Sequence, residues 1–189
     1  MTNYRIRASI ASTVLLTSLL VSGCEGATSE VDEQFTGPWA QQLRTAYEES
    51  RSELERQVLA DGLITDAEYA ELLGAFQTCI EDLGYELTWE GDDGGFSIPG
   101  EQSPSEQQIA ECSATTDGEA SGYYVQMRRN PENLDEAEIM VDCLIRVGVV
   151  DPSYSPEDYQ QDGLSGSGPT YLDTEEFRAC NADPLGTGR

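Results

Sequence analysis

The sequence contains neither histidine nor lysine, and these two absences remove most of the usual catalytic chemistry. Without histidine there can be no Ser-His-Asp or Cys-His arrangement and no histidine-ligated zinc site. Without lysine there can be no phosphate-binding P-loop, no Schiff base and no Ser-x-x-Lys nucleophile. Carboxylates, hydroxyls, tyrosines and arginines remain as the side chains that could catalyse a reaction.

Positive charge is also scarce. Ten arginines stand against 36 acidic residues, which gives the chain of 189 residues a formal net charge of −26. A surface of this kind repels nucleic acid and anionic lipid headgroups, so nucleic acid is excluded as a partner. Such a surface is compatible with cationic partners. Its acidity could equally serve only to keep the protein soluble. The chain carries no cofactor motif, and no cofactor is expected.

The N-terminal segment has the pattern of an export signal. Arg5 and Arg7 precede an apolar run over residues 8–21, which has the length of a secretory h-region and is too short to span a bilayer as a helix. Ser22 and Gly23 then lead directly to Cys24, the arrangement of a lipobox. The pattern predicts cleavage after residue 23 and lipidation of the Cys24 thiol. An ordinary signal peptide with an incidental cysteine is the alternative.

The lipobox predicts where the protein lies. A diacylglyceryl group on Cys24 carries two acyl chains, which is what stable anchoring requires. The sequence therefore predicts a lipoprotein on the extracytoplasmic face of the cell membrane, held there by its lipid alone. Residues 1–23 would be the signal peptide and residues 24–36 a short flexible tether.

The remaining cysteines are even in number, which in an exported chain indicates disulfides. They are Cys79, Cys112, Cys143 and Cys180. No two of them have the close spacing of a metal or redox motif, and three pairings are possible. Two segments resemble each other, because Cys79 and Cys143 each precede a helix-ending glycine by five residues and each is followed by a short capped helix that ends in cysteine. If this partial repeat is real, it favours Cys79–Cys112 and Cys143–Cys180.

The secondary-structure signals predict a mainly α-helical domain with one small β-hairpin. A helix should begin near Thr36, and apolar residues from Trp39 to Val58 recur on one helical face, with the acidic residues between them, including Glu55, in solvent. Thr65 and Glu68 form a capping box for the next helix, which should end at Gly84. Alternating apolar residues on both sides of the glycine-rich segment 90–95 predict the hairpin.

The second half of the chain gives weaker signals. Ser103 and Glu106 suggest another capping box, followed by a short helix that ends at Cys112. Residues 119–129 fit either a strand or a helix, and helix is favoured because two arginines followed by Pro131 are typical of a helix C-terminus. Further helices are expected from Pro131 and around Cys180. The predicted organisation is a first part over 37–116, a second over 117–182 and a flexible tail over 183–189.

Several of these segments resemble a family. Trp39 after Pro38, the run over residues 59–69, Cys79 with Gly84-Tyr85, and the segment 130–133 leading to Cys143 are similar to a group of uncharacterised lipoproteins from actinobacteria. The resemblance covers most of the chain after the signal peptide. It implies the lipid anchor and the cysteine framework. It implies no activity and no functional residues.

Candidate sites compete with simpler interpretations. Asp61 to Glu68 matches the second half of a calcium-binding EF-hand loop, but Gln57 and Leu59 occupy positions where acids are required, and the capping box explains the same residues. The acids of the predicted hairpin turn could hold a cation weakly or simply be solvated: Glu90, Asp92 and Asp93. Several aromatic residues could line a sugar or peptide groove or belong to the core: Tyr85, Trp89, Phe96, Tyr123, Tyr124, Tyr154 and Tyr171.

The sequence thus favours a lipid-anchored, disulfide-stapled domain that is not an enzyme. Its expected role is a binding or accessory module whose partner is a protein or cell-wall component that the sequence does not identify. One alternative is a cell-wall glycan hydrolase that uses paired carboxylates, and another is a weak binder of divalent cations. Two buried, converging carboxylates would favour the hydrolase, whereas an exposed aromatic or apolar patch would favour the binding module.

Overall fold

A computed structural model describes residues 34–91, 95–100, 103–164 and 170–188. The described residues form eight α-helices, one two-stranded antiparallel hairpin and one 3₁₀ helix, so the predicted mainly α fold with a small hairpin is confirmed. The α-helices are α1 Ala40–Glu49, α2 Glu53–Leu59, α3 Asp66–Asp82, α4 Glu106–Thr115, α5 Ala120–Arg129, α6 Glu136–Arg146, α7 Pro156–Leu164 and α8 Glu175–Ala182. The strands are β1 Thr88–Glu90 and β2 Gly95–Ser97, and the 3₁₀ helix spans Thr170–Asp173.

The apolar face expected on a single helix from residue 36 to residue 58 belongs instead to two helices. The first begins only at Ala40 and ends at Glu49, and Ser52 then starts α2 because its hydroxyl accepts the backbone N–H of Glu55. The Ser52 hydroxyl also donates to the carbonyl of Thr116. Serine competes with helical hydrogen bonding in this way, which ends one helix and begins the next without shifting the apolar stripe.

Glu55 is buried, which corrects the prediction that it lies in solvent. Its side chain is 2% exposed and accepts the backbone N–H groups of Glu119 and Ala120, which belong to the first turn of α5. The hydroxyl of Ser50 also donates to it. The carboxylate satisfies N–H groups that a helix start leaves without partners, and its negative charge is favourable there. Gly118 permits this approach, because a Cβ at that position would overlap with the carboxylate.

Helix α3 begins and ends where the sequence predicts. Thr65 and Glu68 form the reciprocal capping box, and Gly84 has a φ of +90° at the other end. The N–H of Tyr85 donates to the carbonyl of Ile80, which completes a Schellman motif. Beyond it, β1 and β2 pair antiparallel with Trp89 opposite Phe96. Both rings pack with Phe76, Ile80 and the Cys79–Cys112 disulfide in one apolar cluster.

The second half repeats this ending. Helix α6 closes at Gly148, whose φ is +77°, and the N–H of Val149 donates to the carbonyl of Leu144. The disulfide Cys143–Cys180 joins α6 to α8 inside a separate apolar cluster that includes Met140 and Phe177. Both pairs that the partial repeat favours are therefore present. The Cα atoms of each pair are 5.7 Å apart, within the usual range for disulfides.

Three boundaries differ from the predictions. The N-cap of α4 is Ser105 with Gln108 as its partner, and not Ser103 with Glu106, and the helix continues past Cys112 to Thr115. Residues 120–129 form a helix, as favoured. The helix expected to start at Pro131 starts at Glu136 instead, capped by Asp135. Asn130 delays it, because its side chain accepts the N–H of Leu134 and donates to the same residue's carbonyl.

Helix α5 packs on the first half of the chain. Ala120 is fully buried in a core with residues of α1, α2 and α3, and the indole of Trp39 donates to the carbonyl of Asn130. Phe35, near the end of the predicted tether, is buried in the same core. In the predicted tail Pro184 is buried, and its carbonyl accepts from Arg146. Across the described ranges, none of the helices has the length and apolar character needed to cross a membrane.

Candidate functional site

A cavity of about 350 Å³ lies between helices α3, α4 and α5 and the hairpin, and we call it the aromatic cavity. Four rings line it: Tyr69, Phe76, Trp89 and Phe96. Phe96 lies 5.3 Å from Phe76 and 5.9 Å from Trp89 between ring centroids, in tilted and edge-to-face arrangements that aromatic pairs favour. The volume of the aromatic cavity falls within the range of small-molecule pockets.

Local structure explains why these rings converge. Tyr69 and Phe76 lie two helical turns apart on α3 and therefore project from the same face. The indole N–H of Trp89 donates to the side-chain oxygen of Gln77, at 2.9 Å, which fixes the hairpin against α3. The Cys79–Cys112 disulfide ties α3 to α4, and α4 contributes Ile109 and Ser113 to the cavity wall.

Asp117 is the charged side chain of the aromatic cavity. No other described residue that lines the cavity is formally charged. Asp117 is only 7% exposed, and it accepts the hydroxyl of Ser121. Burial raises the pKa of this carboxyl above its ordinary value of 3.8, and hydrogen bonds from neighbouring hydroxyls oppose the shift. Among the described ion pairs, none involves Asp117.

A second depression adjoins the aromatic cavity, and we call it the arginine cleft. It has a volume of about 540 Å³ and shares Val125 and Gln126 with the aromatic cavity. Its lining includes charges of both signs: Glu90, Arg128, Arg129 and Asp183. The two depressions together run along the outer face of α5, and we call the whole surface the α5 groove.

The two arginines of the cleft have different roles. The guanidinium of Arg128 lies 5.3 Å from the ring centroid of Tyr124, and its side chain is 59% exposed. The side chain of Arg129 is 6% exposed and is surrounded by acceptors from three helices. It donates to the carbonyl of Asn181 at 2.7 Å and to the carboxylate of Glu136 at 2.7 Å. Arg128 is exposed and also donates to the hydroxyl of Tyr124, whereas Arg129 holds the second half of the chain against α5.

The structure describes most of the site residues expected from sequence, but not all of them. Cys24, the predicted lipid attachment point, lies outside the described residues. The four other cysteines form the two disulfides. In the half EF-hand, Leu59 is fully buried, Asp61 accepts the N–H of Leu63, and Glu68 accepts both the N–H and the hydroxyl of Thr65. These contacts are those of a helix start, so the capping interpretation accounts for the segment.

The acidic candidates do not converge in the part of the chain that the structure describes. Its two buried carboxylates line different cavities, Glu55 beside α1 and Asp117 in the aromatic cavity. No described cluster of three or more potential ligands is placed to hold a metal ion. Of the hairpin-turn acids, Glu90 borders the arginine cleft, whereas Asp92 and Asp93 fall outside the described residues.

The seven aromatic candidates separate into three places. Trp89 and Phe96 line the aromatic cavity and Tyr85 packs beside them, while Tyr124 borders the arginine cleft. The remaining three contribute to packing: Tyr123 against Trp39, and Tyr154 against Tyr171 in the second half. Sequence reasoning missed Asp117 and Tyr69. Tyr69 was recognisable only as a helix-face residue, and Asp117 lies in a polar segment without any periodic signal.

Comparison with known proteins assigns no role to this site. No family model, curated protein or solved structure matches this chain.

Proposed function

We propose that this protein is a membrane-anchored, extracytoplasmic lipoprotein that acts as a non-catalytic binding or accessory module, with the α5 groove as its binding surface. The observation that carries the proposal is the groove itself. It combines aromatic rings, one buried carboxylate and a half-exposed arginine on a single concave surface. Concave surfaces with apolar walls and a few placed polar groups are the usual form of ligand sites.

The walls of the groove are rigidly supported. The Cys79–Cys112 disulfide, the bond from Trp89 to Gln77 and the buried Arg129 hold its helices and hairpin in place. Preformed walls lower the entropy cost of binding, because few groups have to be ordered when the ligand arrives. The Glu55 carboxylate is engaged in capping α5 and is therefore not a candidate base for hydrolysis.

The anchor is supported by the lipobox at residues 21–24 and by the two disulfides, which suit an oxidising compartment. The resemblance to actinobacterial lipoproteins points the same way. With the lipid on Cys24, the domain would face outward from the membrane, and its strong negative charge would keep it away from anionic headgroups.

Replacing Cys24 by alanine should abolish lipidation. The wild-type N-terminal peptide should begin at Cys24 and carry a diacylglyceryl group, because the lipobox directs both modification and cleavage. The C24A variant should lack the lipid and either be released or retain its signal. Mass spectrometry of the N-terminal peptide of each protein decides the matter, and an unmodified wild-type Cys24 would exclude a lipoprotein.

Site-specific crosslinking in intact cells should locate the binding surface. A photoreactive residue at Gln126, which is exposed and borders both parts of the groove, should give an adduct. The same residue at Gln160, which is exposed on α7 and borders neither part, should give none. Mass analysis of the purified protein detects adducts of any size. Equal labelling at both positions, or no adduct at Gln126, would show that the groove is not a specific binding surface.

A further inference from the structure

The aromatic cavity contains a buried negative charge without a positive partner among the described residues. Asp117 is 7% exposed, and the groups that hydrogen-bond to it are neutral: the hydroxyls of Ser121, Ser113 and Thr116, and a backbone N–H. The described ion pairs join other acids to four arginines, Arg51, Arg56, Arg128 and Arg129, and none includes Asp117. A buried carboxylate is costly unless hydrogen bonds or a positive charge compensate it, and a cation compensates it most fully. Among the described residues only neutral groups compensate Asp117, so a bound cation would find an unpaired charge there.

The walls around Asp117 suit an organic cation better than a metal ion. Tyr69, Phe76, Trp89 and Phe96 present rings to the cavity, and only one carboxylate is available. Hard metal ions are usually held by several carboxylate or carbonyl oxygens, and the described lining of this cavity offers one carboxylate. Ring faces attract ammonium groups through their quadrupole, most strongly where water is excluded.

We propose that the aromatic cavity binds an organic ammonium group, with Asp117 as its counter-ion and the rings as its cage. The proposal rests on the proposed binding function and names the class of ligand. A cavity of about 350 Å³ accommodates a small alkylammonium or the end of a lysine side chain. The net charge of −26 draws cations towards the protein in either case.

The raised pKa of Asp117 is consistent with this role. Burial penalises the ionised carboxylate, and an incoming ammonium group would remove that penalty. The charge therefore costs stability until a ligand compensates it, which is a common property of binding sites. For the same reason, Asp117→Asn should not destabilise the fold. A thermal melt can verify that this variant is folded before it is titrated.

Calorimetric titration of the purified lipidated protein in a nonionic detergent tests the proposal. The probes are choline and its uncharged isostere 3,3-dimethylbutan-1-ol, together with acetyl-lysine amide. At least one of the two ammonium probes should bind, and the uncharged isostere should bind at least about tenfold more weakly than choline if choline is the ligand. Choline binding alone indicates a free quaternary ammonium, whereas acetyl-lysine amide alone indicates a protein side chain.

Matched variants separate Asp117 from general acidity. D117N should weaken binding of the ammonium probe at least about tenfold, whereas E132Q, which removes the same charge at an exposed site, should leave it unchanged. The N-methyl proton signals of bound choline should move upfield because of the surrounding rings, and W89L should reduce that shift. Absence of binding by both ammonium probes, equal binding of choline and its isostere, or equal loss in D117N and E132Q would overturn the proposal. A Gln126 crosslink that persists in such a case would leave the binding function intact.

Discussion

Replacing Cys79 and Cys112 together by alanine is expected to lower the free energy of unfolding by about 3–4 kcal/mol and to disorganise the aromatic cavity. The bridge closes a loop with a sequence separation of 33, and constraining a loop of that length in the unfolded chain stabilises by this amount in the chain-entropy model. Urea denaturation of the purified domain measures the loss. A small, acidic domain whose apolar residues form several separate clusters is expected to be only marginally stable without its disulfides.

The second disulfide provides a matched control. Cys143–Cys180 has a sequence separation of 37, so its removal should cost a similar amount in the same model. The two variants should differ in where the structure changes, because only the Cys79–Cys112 bridge joins two walls of the aromatic cavity. Similar losses of stability with different local effects would separate the role of the Cys79–Cys112 bridge in the fold from its role at the aromatic cavity.

The two tryptophans report on these local effects independently. The Trp89 indole donates to Gln77 beside the cavity, and the Trp39 indole donates to the carbonyl of Asn130. In an amide correlation spectrum, the variant without Cys79–Cys112 should move the Trp89 signal, and the variant without Cys143–Cys180 should leave that signal in place. A Trp89 signal that is unaffected by loss of Cys79–Cys112 would show that the bridge does not position the hairpin.

The features that sequence predicted correctly depend on nearby residues or on pattern. The ends of α3 follow from Thr65 and Glu68 at one end and Gly84 at the other, because caps use side chains within three or four residues. The disulfide pairing followed from the likeness between the segments before Gly84 and Gly148. Both kinds of signal can be recognised within short segments of the sequence.

The features that sequence missed depend on distant residues. The apolar spacing from Trp39 to Val58 continues across the break at Ser52, so periodicity alone could not reveal two helices. Glu55 looks like a surface acid until α5 brings the N–H groups of Glu119 and Ala120 to it, more than 60 residues along the chain. Asp117 acquires its cavity only when the hairpin, α3 and α4 close around it. Interactions of this kind are set by tertiary packing, which a single sequence does not display.

Neighbouring arginines on α5 allow the burial of a charge to be tested directly. Arg129 is at the junction of α5, α6 and α8, where its guanidinium donates to Glu136 and to the carbonyl of Asn181. Arg128, the preceding residue, has a side chain that is 59% exposed and lies 3.8 Å from the exposed Asp66. The two residues share their chemistry and their helix but not their surroundings.

Replacing Arg129 by methionine should lower the free energy of unfolding by about 3 kcal/mol, because it removes the buried guanidinium that makes part-buried, charge-assisted hydrogen bonds to the Asn181 carbonyl and the Glu136 carboxylate. Arg129→Lys should retain only part of the stability that Arg129→Met loses. One ammonium group cannot reproduce the planar fork of donors that Arg129 directs at Asn181, Gln126 and Glu136. Arg128→Met should cost less than about 1 kcal/mol, as exposed ion pairs usually do. Urea denaturation gives all three values, and hydrogen exchange of α8 amides should show the largest acceleration in Arg129→Met. Equal costs at the two arginines, or full stability in Arg129→Lys, would show that Arg129 does not hold the two halves of the domain together.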